Sequence, residues 1–194
     1  RWSHDWSYEL PNLRSLKIDT GVHDFSFLNA QSLDDIFMYG ANFVSFKGVG
    51  HARKIEVSVG SYHSLEGLED SPIEYFSIYY NREEGHKPDL SLMPKIPNLK
   101  VLRIGSMLTS GHQEQLTGCD QIERLEAGSY KGSLGFLKGW ESLTELDLRN
   151  SGMLEDIEAV ESLPNLKRIR LRGSEMKRDT WPKSLQDVLD YMGT

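Results

Sequence analysis

Apolar residues recur along this chain in a six-residue frame, at its first, fourth and sixth positions, with mostly polar residues between them. The frame is clearest at Leu13–Ile18 (LRSLKI), Leu99–Ile104 (LKVLRI), Leu143–Leu148 (LTELDL) and Leu166–Leu171 (LKRIRL). Weaker copies fall between these: Leu33, Ile36 and Met38; Ala52, Ile55 and Val57; Ile73, Phe76 and Ile78; Ile122, Leu125 and Ala127. The end of each frame alternates apolar and polar, the period of a half-buried strand. Eight short strands are therefore predicted, beginning in frames that open at residues 13, 33, 52, 73, 99, 122, 143 and 166.

Between frames the chain must turn and come back to lay the next strand parallel to the last. The returning segments carry their own apolar anchors: Phe25, Phe27 and Leu28; Phe43, Val44 and Phe46; Leu65 and Leu68; Leu90, Leu92, Met93 and Ile96; Leu108 and Leu116; Leu134, Phe136, Leu137 and Trp140; Ile157, Val160 and Leu163. In LEDIEAVESL these anchors stand three residues apart, with Glu155, Asp156, Glu158 and Glu161 between them, which predicts a short helix or 3₁₀ segment with a solvated acidic face. Residues 13–173 thus read as one array of repeats within a single domain, with 1–12 and 174–194 as covers for its open ends. Trp2, Trp6, Tyr8 and Leu10 supply the first cover. For the second, SLQDVLDYMG is predicted to form a capping helix, with Ser184 as N-cap, an apolar stripe at Leu185, Val188, Leu189 and Met192, and Gly193 as the stop.

The LxxLxL frame and its spacing of 19 to 26 residues resemble a leucine-rich repeat protein over nearly the whole chain. The resemblance implies an α/β solenoid, a curved arc with about eight short parallel strands on its concave face. Leucine-rich repeat families usually carry Asn three positions after the sixth-position residue; here that position reads Gly21, Ala41, Gly60, Asn81, Met107, Tyr130, Ser151 and Ser174, which points to an irregular, bacterial-type array.

Side chains between the apolar positions face away from the core, and the same position on successive strands stacks at about 4.8 Å. The column between the fourth and sixth positions reads Lys17, Phe37, Glu56, Ser77, Arg103, Glu126, Asp147 and Arg170. The column before the fourth reads Ser15, Asp35, Lys54, Tyr75, Val101, Arg124, Glu145 and Arg168, and the one after the sixth reads Asp19, Tyr39, Ser58, Tyr79, Gly105, Gly128, Arg149 and Arg172. Phe37, Tyr39, Tyr75, Tyr79 and Tyr80 concentrate aromatics where the scaffold asks only for something soluble, as interface anchors do. The plainer reading is that some lie against the third strand's side chains or beneath the loop 81–98. Charges of opposite sign alternate along the later strands, which suits structural self-neutralisation. The excess of Lys167, Arg168, Arg170, Arg172 and Arg149 leaves a basic edge that could receive an acidic partner loop.

The net charge of -7 disfavours nucleic acid and anionic membranes as partners and favours a basic protein. A single cysteine, Cys119, excludes an internal disulfide framework and points to a reduced, cytoplasmic location. No apolar run reaches 18 residues, and Arg1–Asn12 has no basic-then-apolar signal pattern. No HExxH, CxxC or paired-histidine pattern occurs, so no metal or cofactor is expected. Cys119 is expected to be a buried, inert thiol, and Gly48-Val49-Gly50 a turn. The resulting expectation is a non-enzymatic protein-binding module, monomeric when free and acting through its concave face. A bacterial immunity or inhibitor protein is one concrete role; the alternative is the substrate-recognition domain of a larger enzyme such as a ubiquitin ligase.

Overall fold

Each frame becomes a strand where its alternation predicts one: β1 (Ser15–Ile18), β2 (Asp35–Phe43), β3 (Lys54–Tyr62), β4 (Tyr75–Tyr80), β5 (Val101–Ile104), β6 (Arg124–Ala127), β7 (Glu145–Asp147) and β8 (Arg168–Arg170). A ninth, β9 (Leu189–Asp190), follows, and all nine form one parallel sheet in chain order. The computed structural model describes residues 8–9, 12–19, 28–29, 33–43, 45–49, 52–62, 64–69, 71–80, 89–105, 108, 110–173, 175 and 177–190. Residues 8–9, 28–29, 40–43, 59–62, 80 and 110 are described by their backbone alone.

The pairing register follows the columns of the sequence. Ser15, Asp35, Lys54, Tyr75, Val101, Arg124, Glu145 and Arg168 are successive partners across the sheet. A recurring bond fixes it: the carbonyl before each strand accepts two N–H groups from the next turn, as Arg14 does from Asp34 and Asp35, and Glu74 from Lys100 and Val101. Side chains on the same edge alternate in sign. Arg14 pairs with Asp34 at 3.3 Å, Arg53 with Glu74 at 3.6 Å and Lys100 with Glu123 at 3.7 Å. Such exposed pairs contribute at most about 1 kcal/mol each, so they reinforce the register without determining it.

Burial of the frame's apolar positions determines it. Ile36, Ile55, Phe76, Leu102, Leu125, Leu146 and Ile169 form a fully buried ladder, flanked by the first- and sixth-position residues. The returns press their anchors against this ladder from the other side: Phe46, Leu65, Leu68, Met93, Ile96, Leu116, Leu134, Trp140 and Val160 are all buried. Phe25, Phe27 and Val44 lie outside the described residues. The returns use single turns of helix, including α1 (Ser110–Gln115) and α2 (Glu158–Glu161), the latter within the acidic segment where a short helix is predicted. Gly67 closes one of these turns at φ +99°, and a Cβ there would sit 2.6 Å from the Lys47 nitrogen, so only glycine fits.

At one position where regular repeats place Asn stands Tyr130. Its buried hydroxyl donates to the Ser133 carbonyl and accepts from Gln113 Nε2, while its ring packs edge-on against Phe136.

The predicted capping helix is not formed within the described residues. A 3₁₀ turn at Lys183–Leu185 leads into β9, which pairs with β8 as Ile169 donates to Val188 and Leu171 to Asp190. A helix of ten residues gains little by itself, whereas the edge of β8 offers unpaired backbone groups that a strand satisfies. Trp181 and Leu185 still cover the core, but from a repeat-like turn. Trp2, Trp6 and Leu10 of the first cover lie outside the described residues; Tyr8–Glu9 pairs with Leu28–Asn29 in a separate two-stranded sheet. Among the described residues no helix is long and apolar enough to cross a membrane.

Candidate protein-binding face

The open face of the sheet divides into an aromatic half and an ionic half. In the aromatic half, β2 and β4 present Phe37, Tyr39, Tyr75 and Tyr79, and β3 runs between them. Lys54 on β3 extends its ammonium between two rings, 5.2 Å from the Phe37 centroid and 5.1 Å from that of Tyr75. Glu56 holds the same ammonium at 2.7 Å, and that bond raises the lysine's pKa against the opposing effect of desolvation. Phe37 and Tyr75 are thus half-buried walls around a clamped lysine, as the plainer sequence reading has it. Tyr39 and Tyr79 are different. They stand 45% and 56% exposed, with Lys17 5.1 Å from the Tyr39 ring centroid. A depression of about 200 Å³ lies between them over Ser58 and Ser77. The side chain of Tyr80, and any cover from residues 81–88, fall outside what is described.

Tyr79 leans across to the next strand. A Cβ at Gly105 would lie 2.0 Å from its ring, so glycine at 105 is the seat of that ring. Gly128 continues the gap one strand further, and the two glycines help line a depression of about 330 Å³ with Tyr79, Arg103, Glu126, Asp147 and Arg149 around them.

In the ionic half, Glu126, Glu145 and Asp147 are surrounded by arginines. Glu126 faces Arg124 at 2.6 Å and Arg103 at 3.4 Å; Glu145 faces Arg170 at 3.4 Å, Arg124 at 3.7 Å and Arg168 at 3.9 Å. Asp147, only 2% exposed, accepts from both the backbone N–H and Nε of Arg149, the latter at 2.9 Å, and lies 3.8 Å from Arg170. This hydrogen bond raises the guanidinium's pKa further above neutrality. Of the basic edge expected at the last strands, Arg149, Arg168 and Arg170 are paired with Glu145 and Asp147 on the open face, with Arg149 and Arg168 still half-exposed, and β9 sets Asp190 opposite Arg170. Among the described residues only Lys167 and Arg172 of that set have no carboxylate within 4 Å.

Lys54 and the Gly105–Gly128 gap are the features that column reading passed over. Both were visible in it, as a cation between two aromatics and as two adjacent positions without side chains.

No cluster of three His, Cys, Asp or Glu that could hold a metal occurs among the described residues. Cys119 is fully buried, and burial together with Asp120 pushes its thiol up to about 12.

The architecture has counterparts among solved structures. Internalin C2 of Listeria monocytogenes superposes with a TM-score of 0.58 and 19% identity, over 90% of this chain and 76% of that one. The chain has the fold of a leucine-rich repeat solenoid. An internalin (inlF) of the same organism is 16% identical, with a TM-score of 0.49 over 95% of this chain and 69% of that one. No family model matches the chain, and no curated protein matches it in sequence. In leucine-rich repeat terms, eight of the sheet's nine strands lie in the eight sequence frames, and Leu189–Asp190 adds a ninth among the described residues. The clamped lysine sits on the third repeat, and the glycine gap spans the fifth and sixth.

Proposed function

We propose that the protein is a non-enzymatic interaction module that binds another protein on the open, concave face of its sheet, with Tyr39 and Tyr79 as anchors. The observation that carries this reading is the exposure of two tyrosines on the open side of a continuous parallel sheet. A solenoid spreads its strands into a continuous surface, and aromatic side chains held on such a surface lose little entropy when covered. Phe37, Tyr75 and Lys54 act beneath them as a preorganised floor.

An inhibitor role, in which this face covers a toxin, is a special case of the same reading; a substrate-recognition arm of a larger enzyme is the other. The identity of the retained protein decides between them. The test compares proteins captured from the native source by the wild-type chain, by Tyr39→Ala and Tyr79→Ala, and by Glu155→Ala with Glu158→Ala on the returns. A partner retained by the wild type and by the return variant, and weakened by about 2 kcal/mol or more in each tyrosine variant, is the expected result. Retention indifferent to both tyrosines but lost with Glu155 and Glu158 overturns the assignment.

A further inference from the structure

The ionic half of the open face holds more guanidinium groups than carboxylates, and the surplus faces outward. Arg103, Arg124, Arg149, Arg168 and Arg170 share three carboxylates, Glu126, Glu145 and Asp147, through one continuous chain of ion pairs. Glu126 and Asp147 lie inward, their side chains 13% and 3% exposed, whereas their neighbours Arg103 and Arg149 are each 49% exposed. A guanidinium carries five N–H donors. Arg149 spends Nε on Asp147, Arg103 only approaches Glu126, and among the described residues neither makes another ion pair or hydrogen bond through its side chain. These two arginines flank the depression of about 330 Å³ whose lining includes Gly105 and Gly128 and whose rim includes Tyr79.

From this arrangement, and resting on the concave-face reading above, we infer that the segment of the partner protein seated here is acidic. A Glu or Asp side chain enters between Arg103 and Arg149, and an apolar neighbour of that residue covers Tyr79. Three physical arguments converge on this occupant. The free donors lose water when covered and need acceptors, which a carboxylate supplies two at a time to a planar guanidinium. A lysine or arginine from the partner finds Glu126 facing Arg124 and Arg103, and Asp147 only 2% exposed, its Oδ1 bonded to Arg149 and its Oδ2, without a hydrogen bond of its own, buried 3.8 Å from Arg170. The overall charge of -7 argues for a basic partner, but screening confines each charge's influence to roughly 8 Å at physiological salt, so the local surplus governs the seat.

The experiment selects displayed random dodecapeptides on the immobilised full chain, and measures the affinity of the synthetic winners for the wild type, Arg103→Gln, Arg149→Gln and Tyr39→Ala. Arg103→Gln is the cleaner variant, because Glu126 keeps Arg124 at 2.6 Å when Arg103 is gone. The inference expects peptides rich in Asp and Glu beside an aromatic or aliphatic residue. Their affinity should fall roughly tenfold in Arg103→Gln, and also on raising NaCl. Selection of basic or neutral peptides, or of none, overturns it, as does an affinity indifferent to both arginine variants. The two readings fail separately: peptides weakened by Tyr39→Ala but not acidic leave the concave face standing without the acidic seat. Peptides indifferent to all three variants remove both.

Discussion

Leu146→Ala tests the solenoid register at its most constrained point. Leu146 is fully buried at the centre of β7, with Leu125 of β6 and Ile169 of β8 as its cross-strand partners. Truncation deletes three carbon groups, a transfer loss of about 2.4 kcal/mol at about 0.8 per group. A cavity term adds to it, because hydrogen bonds tie the strands on both sides and Trp140 and Leu143 are packed fully buried in the same core. The total should fall at about 3 to 5 kcal/mol, which for a chain of 194 residues lowers the melting temperature by roughly 6 to 20 °C. The neighbouring Glu145 points to the open face, and its partners Arg168 and Arg170 are solvent-accessible, so Glu145→Ala should cost about 1 kcal/mol or less. Urea unfolding followed by circular dichroism, with melting curves for both variants, measures the difference. Equal losses at 145 and 146 would show that the alternation of core and open face is assigned wrongly.

Three further outcomes follow from particular side chains. Burial raises the Tyr130 phenol from its ordinary 10 to about 12. Its contribution to stability is fully present below pH 10 and is lost as pH rises through 12, so stability between these values should fall less steeply in Tyr130→Phe, which itself should cost about 1 kcal/mol at neutral pH; identical pH profiles refute the assignment. Cys119, its thiol pushed up to about 12, should resist an aromatic disulfide reagent at pH 8 until the chain is unfolded, and labelling of the native protein at the rate of a free thiol contradicts its burial. Gly67→Ala should destabilise by about 2 kcal/mol or more through strain and collision with Lys47, whereas Gly118→Ala, at φ +85° with open space around the added carbon, should cost only about 1 kcal/mol; a Gly118 variant as damaged as the Gly67 variant refutes the steric argument.

The repeat frame was legible in the sequence because its cause is local. Alternation at Leu146, Asp147 and Leu148 states which side chains face inward, and repetition of that alternation at Leu125 and Ile169 states the pairing without knowledge of the turns between. The buried thiol of Cys119 and the short helix at Glu158–Glu161 follow from the same kind of reading. Segment 184–193 lies at the limit of this logic. Leu185, Val188 and Leu189 have the spacing of a helical stripe, but the same residues also suit a turn followed by a strand, and the free edge of β8 selects the strand over Leu189–Asp190. That edge is built by residues some 20 positions away, beyond the reach of any local pattern.

The character of the open face was decided in the same non-local way. Sequence places Lys54 in a column between Phe37 and Tyr75, but only packing makes it a clamped cation with walls, leaving Tyr39 and Tyr79 as the exposed pair. Sequence counts arginines at the last strands, but geometry determines that Arg149 and Arg170 are held by a buried Asp147 while Arg103 turns an unsatisfied edge outward. The physical reason is one of range: periodic hydrophobicity is a property of neighbours along the chain, whereas exposure, ion pairing and the shape of a depression arise between side chains brought together across strands.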